Sequence, residues 1–226
     1  MFIAQFFLFC SGGRYFNKKR VGSYKKSGAH ADYKSPTGMV DMTFRDWLAH
    51  AKEAESSPVE SPHFYMQLGS RPPNDFIGDD LPDFMPHKNF FIIDPKGNRG
   101  INCRFGAKSI IAEAHYDGGR NFIAMLRGAK RYVLLPPTEC NKLYLYPKAH
   151  PEGRHAEADW SKLDINQYPK MANAQATEVV LSAGQVLYVP SYWFHYIVSL
   201  GQSAQCNSRS GNAIRGRQAV ADCGFY

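Results

Sequence analysis

The sequence predicts a mainly β domain, a sandwich or barrel, and three observations carry that expectation. From about residue 91 onward, short apolar runs rich in β-branched and aromatic residues follow one another, separated by glycine and proline turns. Aromatic residues make up 14% of the chain beside 19 glycines and 14 prolines, a balance that suits short strands better than a helical bundle. The length, 226 residues, closes one sizeable core, and an all-β domain of this size is ordinary.

Taken in order, the opening MFIAQFFLFCSGG has an apolar run near the length of a signal-peptide core. It lacks a positive start and a small-x-small cleavage site, and it is far too short to span a bilayer. We read it as an ordinary first strand, with a secretory signal or a late-starting gene model as the alternatives. A cytoplasmic or nuclear setting is expected, and the secretory pathway stays open. Residues 11–40 are polar and glycine-rich, a loop with at most one short strand, so 1–40 is treated as an N-terminal polar and basic segment and 41–226 as the main domain. Much of the net charge of +7 lies in GRYFNKKRVGSYKKSG. A solvated basic segment is the plain reading, and a nucleic-acid or acidic-peptide contact is the alternative.

The stretch DMTFRDWLAHAKEAE sets Phe44, Trp47, Leu48 and Ala51 at helical spacing, with Asp41 or Thr43 as the cap. HFYMQLG reads as a strand, and the proline-rich span after it allows a short helical turn at Asp75–Phe84. Nine strand patterns follow: FFIID, INCRFG, KSIIAEAHYD, FIAMLRG, KRYVLLPP, ATEVVL, GQVLYVP, FHYIVSL and SAQCNSR. Between them, Thr138–Ala174 reads as an insertion carried on the rim. Cys10, Cys103, Cys140, Cys206 and Cys223 are odd in number and widely spaced, so neither a disulfide framework nor a structural zinc is expected.

One stretch carries chemistry. In EAHYDGGRN, His115 and Asp117 are two apart on a strand and share a face, while Tyr116 points the other way. Such a pair occurs by chance, and by itself it is also a polar strand end. With a second imidazole it forms the two-histidine, one-carboxylate set that holds ferrous iron and leaves positions open. The candidate is His195 in GQVLYVPSYWFHYIVSL, where the competing reading is a hydrogen-bonded histidine in an aromatic core.

The order HYD, GAKRYVLLPP, GQVLYVPSYWFH and CNSR, spread over about Phe64 to Gly211, resembles the JmjC family of Fe(II)- and 2-oxoglutarate-dependent oxygenases. It is most similar to the small hydroxylase branch of the family, which includes asparaginyl hydroxylases. The resemblance implies a double-stranded β-helix, the cupin-like jelly roll, with a few peripheral helices. It implies His115, Asp117 and His195 as iron ligands and Lys130 as the partner of the far carboxylate of 2-oxoglutarate, with Arg131 outward. Tyr65 would add a hydroxyl to that carboxylate. Asn121 and Asn207 would stand near the iron and the near carboxylate, and Gln67, Arg154 and His155 would face the substrate.

The chain departs from the branch at Ala112, where its members carry a threonine, and at Glu113, where they carry a small residue or proline. It also ends at CGFY without the C-terminal helices through which the asparaginyl hydroxylase dimerises, so a monomer or a different dimer is expected. The resemblance implies Fe(II), 2-oxoglutarate and O2 as the reacting set, with a protein or peptide substrate hydroxylated on a side chain. An RNA-base hydroxylase, a histone demethylase and a non-catalytic cupin-like binding protein are the alternatives.

Overall fold

The computed structural model describes residues 11–12, 43–56, 64–70, 94–211 and 214–224. The expected strands at the N-terminus and FFIID, and the helical turn at Asp75–Phe84, lie outside them. Ten strands are described: β1 (Ser11–Gly12), β2 (Phe64–Ser70), β3 (Asn98–Gly106), β4 (Ile111–Tyr116), β5 (Arg120–Arg127), β6 (Ala129–Leu135), β7 (Thr177–Ser182), β8 (Val186–Val189), β9 (Phe194–Ser199) and β10 (Ser203–Ser210). Two helices, α1 (Phe44–Ser56) and α2 (Ile214–Asp222), lie outside the strands.

The strands form two antiparallel sheets in the orders β1-β2-β3-β10-β5-β8 and β4-β9-β6-β7. Most sheet neighbours are distant in sequence, as in a jelly roll, and the two sheets close a double-stranded β-helix over a shared interior. Part of that interior is an apolar core of Ile123, Met125, Tyr132, Leu134, Leu181 and Val189, drawn from both sheets.

Local chemistry sets the elements. Helix α1 starts where Thr43 Oγ1 accepts the Asp46 N–H at 3.2 Å while the Asp46 carboxylate accepts the Thr43 hydroxyl at 2.7 Å, a reciprocal cap. Its Trp47, Ala51 and Ala54 are buried against Met66, Ala107 and Ile110. The β5–β6 turn needs Gly128, whose φ is +72° and where an added Cβ would collide with the Gln202 carbonyl oxygen.

Two expectations need correction. The insertion over 138–174 does more than sit on a rim. Its Leu143, Leu145, Ala156, Tyr168 and Met171 cover Tyr116, Leu135, Phe194 and Tyr196 on the outer face of the four-stranded sheet. That cover explains why β9 is buried on both faces, with Phe194 and Tyr196 under the insertion and His195, Ile197 and Ser199 toward the cavity. No disulfide framework was expected, yet the four cysteines within the described residues form two disulfides, Cys103–Cys206 and Cys140–Cys223, while Cys10 lies outside those residues. The first joins residues directly opposite on β3 and β10, and the second ties α2 to the turn after β6. No described helix is long and apolar enough to cross a membrane.

Candidate metal centre

Strand register brings His115 of β4 and His195 of β9 together as directly opposed residues. A register shift between Ala112 and His115 marks a bulge in β4, a device that re-aims the side chains beyond it. Each imidazole is fixed from behind, with Nδ1 of His115 2.6 Å from the Glu113 carbonyl oxygen and Nδ1 of His195 3.0 Å from that of Trp193. A carbonyl only accepts, so both protons sit on Nδ1 and each Nε2 keeps its lone pair. Those two Nε2 atoms stand 4.0 and 3.8 Å from Asp117 Oδ2, and the three donor atoms lie within 4.8 Å of one another.

The electrostatics agree with the geometry. Burial pushes His115 well below the ordinary imidazole range, helped by His195, and burial lowers His195 as well, so both rings are neutral near pH 7. For Asp117 burial pulls the other way, but His115, Arg209, His195 and Arg154 together hold its carboxyl well below the usual range. Arg154 Nη1 donates to Asp117 Oδ1 at 2.9 Å. Arg209 Nη2 stands 2.7 Å from Oδ2 yet off the hydrogen-bonding direction, which leaves that buried oxygen without a formed hydrogen bond. Two imidazole lone pairs and one ionised oxygen converging in this way fit a divalent transition metal such as ferrous iron.

Beside the three donors, a cavity of about 160 Å³ opens between the sheets. Lys130 reaches it from β6 and is 2% exposed, with its ammonium 5.5 Å from the centre of the Tyr65 ring, itself part of the wall. Burial, reinforced by Arg104, lowers Lys130 to about 7. Among the described residues no acid lies against it. Asn121 and Asn207 are both buried and bonded to each other, Nδ2 of Asn207 to Oδ1 of Asn121, at 3.1 Å. Ala112 is on the wall at the position where the resemblance would place a hydroxyl. Arg131 points outward, as expected, in an ion pair with Glu178.

The residues expected at the substrate lie as follows. Arg154 bonds Asp117, and His155 stacks on His115 with ring centres 5.0 Å apart, so both adjoin the triad. Gln67 belongs to β2 and pairs in register with Arg104; its side chain lies outside the described set.

Two charged cavity residues escaped the sequence reading, Arg104 and Arg209. The alternation of QCNSR was the available signal, because it sends Gln205, Asn207 and Arg209 to one face of β10. Arg104 needed the register, which sets it opposite Gln205.

A jelly roll that gathers two histidines and one carboxylate beside an internal cavity defines a cupin with a candidate metal site. The chain belongs to the cupin-like domain family, whose model matches residues 18–210, and its relatives place it among the JmjC proteins. It is 26% identical to lysine-specific demethylase JMJ30 of Arabidopsis thaliana over 162 residues, 72% of this chain and 36% of that protein. Human tRNA wybutosine-synthesizing protein 5 is 28% identical over 199 residues, 80% of this chain and 59% of the relative. JmjC domain-containing protein D of Dictyostelium discoideum is 32% identical over 106 residues, 47% and 24% of the two chains. The chain thus spans between 24% and 59% of the length of these relatives.

Proposed function

We propose that this chain is an Fe(II)- and 2-oxoglutarate-dependent oxygenase that hydroxylates a protein side chain. One arrangement carries the reading: of three donors for one metal, the two histidines line a cavity that also holds a buried ammonium that no described acid neutralises. In the β6–β9 ladder His195 pairs with Leu134 and Ser199 with Lys130. The two functional positions are therefore four residues apart, roughly 13 Å along the strands. The Lys130 side chain shortens that gap to one that a five-carbon diacid can bridge.

In this reading His115, Asp117 and His195 hold the iron, with Arg154 and Arg209 keeping Asp117 ionised and in place. Ferrous iron, when bound, would supply the oxygen chemistry that couples decarboxylation of 2-oxoglutarate to oxidation of a substrate C–H bond. The chain's own residues do the positioning. Lys130 and Tyr65 take the far carboxylate, the Asn121–Asn207 pair stiffens the wall beside His195, and Ile123 and Ile197 exclude water. Arg154, 53% exposed, offers a guanidinium to an acidic residue of an incoming polypeptide.

The experiment is succinate release from 2-oxoglutarate with Fe(II) and ascorbate, with and without a cell extract that holds both protein and RNA, followed by mass spectrometry of each fraction for a gain of one oxygen atom. Uptake of that oxygen by protein supports the reading. Uptake by RNA alone would move the substrate class toward the wybutosine-synthesizing relative. No succinate under any condition, with 2-oxoglutarate still bound, would leave a binding protein.

Two smaller effects follow. Lys130 titrates near 7 in the free cavity, and a bound carboxylate restores its proton, so binding takes a proton up. Affinity for 2-oxoglutarate on Mn(II)-loaded protein should be level below about pH 7 and fall up to roughly tenfold per unit between about pH 7 and 9. Calorimetry at stepped pH checks this, and Lys130→Met should flatten the slope.

At Ala112, a trapped water can stand in for much of a missing hydroxyl. Ala112→Thr should therefore tighten 2-oxoglutarate by only about 0.5–1.5 kcal/mol, at most roughly tenfold, seen as a lower KM with kcat nearly unchanged. Weaker binding would mean that this wall is built differently, around Glu113.

A further inference from the structure

Among the described residues, the cavity wall bears three cationic side chains, Lys130, Arg104 and Arg209, and neither an aspartate nor a glutamate. Arg209 leans on Asp117, so its charge is answered. Arg104 is not answered in that way. Its one hydrogen bond among the described residues runs from Nη1 to the neutral amide oxygen of Asn207, at 2.5 Å. It leaves β3 between Gln67 and Gln205 in register, both uncharged. Like charges crowded into a half-buried pocket are unfavourable unless an anion joins them.

We infer that Arg104 is a second cation of the anion seat, so that the far carboxylate of the cosubstrate is shared between Lys130 and Arg104. The inference rests on the oxygenase reading and adds to it a binding residue outside the set that the resemblance implied. The bond to Asn207 uses one of the five N–H donors of the guanidinium and fixes its plane. The others remain for a carboxylate, which a guanidinium can grip with two parallel bonds. The same bond links the seat to the metal end, because Asn207 continues to Asn121. A diacid gripped by Arg104 is thereby held in register with His195, on which the near end must converge. Burial, and after it Arg104, lowers the Lys130 ammonium, and an anion between the two cations would relieve both.

The test is calorimetric titration of 2-oxoglutarate into Mn(II)-loaded full chain, with Mn(II) affinity measured separately by electron paramagnetic resonance. Arg104→Leu should weaken 2-oxoglutarate by roughly 10- to 100-fold, the worth of one hydrogen-bonded charge, with Mn(II) affinity unchanged. Arg104→Lys should recover most of that loss, because it restores the charge without the bond geometry to Asn207. Arg104→Leu combined with Lys130→Met should bring binding below detection. If the wild type binds 2-oxoglutarate and Arg104→Leu binds it equally well, the assignment of Arg104 falls alone. If the leucine and lysine variants are equally weak, Arg104 only braces Asn207, and the second cation falls with that result. A wild type that takes up Mn(II) but not 2-oxoglutarate would overturn the oxygenase reading together with this one.

Discussion

Alanine at His115, Asp117 or His195 is expected to abolish iron-dependent succinate release, with a loss of metal affinity of more than about a hundredfold at each position. The reasoning is geometric. Each side chain supplies one of three donors lying within 4.8 Å of one another, and two donors cannot hold a divalent ion against water as three do. The variants should differ in stability, however. His195 and His115 are neutral and held by a single carbonyl each, so their loss removes little beyond local packing. Asp117 answers Arg209 and Arg154, and its removal leaves the more buried of these, Arg209, without a counter-charge. Asp117→Ala should therefore unfold at lower urea, by about 1–3 kcal/mol, while His195→Ala stays close to wild type. Metal content after dialysis, turnover and a urea titration on the same preparations check all three parts. Wild-type turnover in all three variants would remove the triad assignment.

The strands were legible because each is short, apolar and bounded by a turn, and the placement of β3 to β10 follows the sequence patterns closely. The metal candidates were legible for a related reason: His115 and Asp117 lie two apart, on one face of β4 or just past its end, and His195 lies in the next strong aromatic run. Pairing was not legible. Cys103 and Cys206 are 103 residues apart and meet only because β10 inserts between β3 and β5. An odd count of scattered cysteines gives no sign of that. Arg104 was hidden in the same way, since its approach to Lys130 depends on two sheets meeting across the cavity.

The insertion shows a different limit. A span rich in Pro, Gly and charged residues between strands reads as an excursion from the barrel. Its sparse apolar residues, Leu143, Leu145, Ala156 and Tyr168, nevertheless form one cover over the outer face of β4, β6 and β9. It also brings Arg154 and His155 to the triad from outside, so the segment least regular in sequence completes the surroundings of the best-marked residues. The substrate roles proposed for these two residues are compatible with that position, and mutation of Arg154 would affect Asp117 as well.

Lys130→Met is expected to weaken 2-oxoglutarate by roughly a hundredfold, about 3 kcal/mol, with metal affinity unchanged. Methionine keeps the length and most of the volume of the buried stem, so the packing of β6 beside Tyr132 and Tyr65 is preserved and the change is one of charge. Without ligand, the variant should be as stable as the wild type or more so, because burial and Arg104 already make the ammonium costly to hold in the free protein. That combination is the useful part of the prediction, since general damage to the fold would lower stability and binding together. With ligand present the sign reverses: the carboxylate enters a low-dielectric cavity whose principal cation is gone, and only Arg104 remains to meet it. If Arg104 shares the seat, binding is impaired but measurable at millimolar 2-oxoglutarate. If Lys130 acts alone, binding disappears. Near-normal 2-oxoglutarate dependence in Lys130→Met would remove Lys130 from the carboxylate seat, because the affinity would then rest on Arg104 and Arg209, the other described cations of the wall, and the fully buried ammonium would contribute nothing to it.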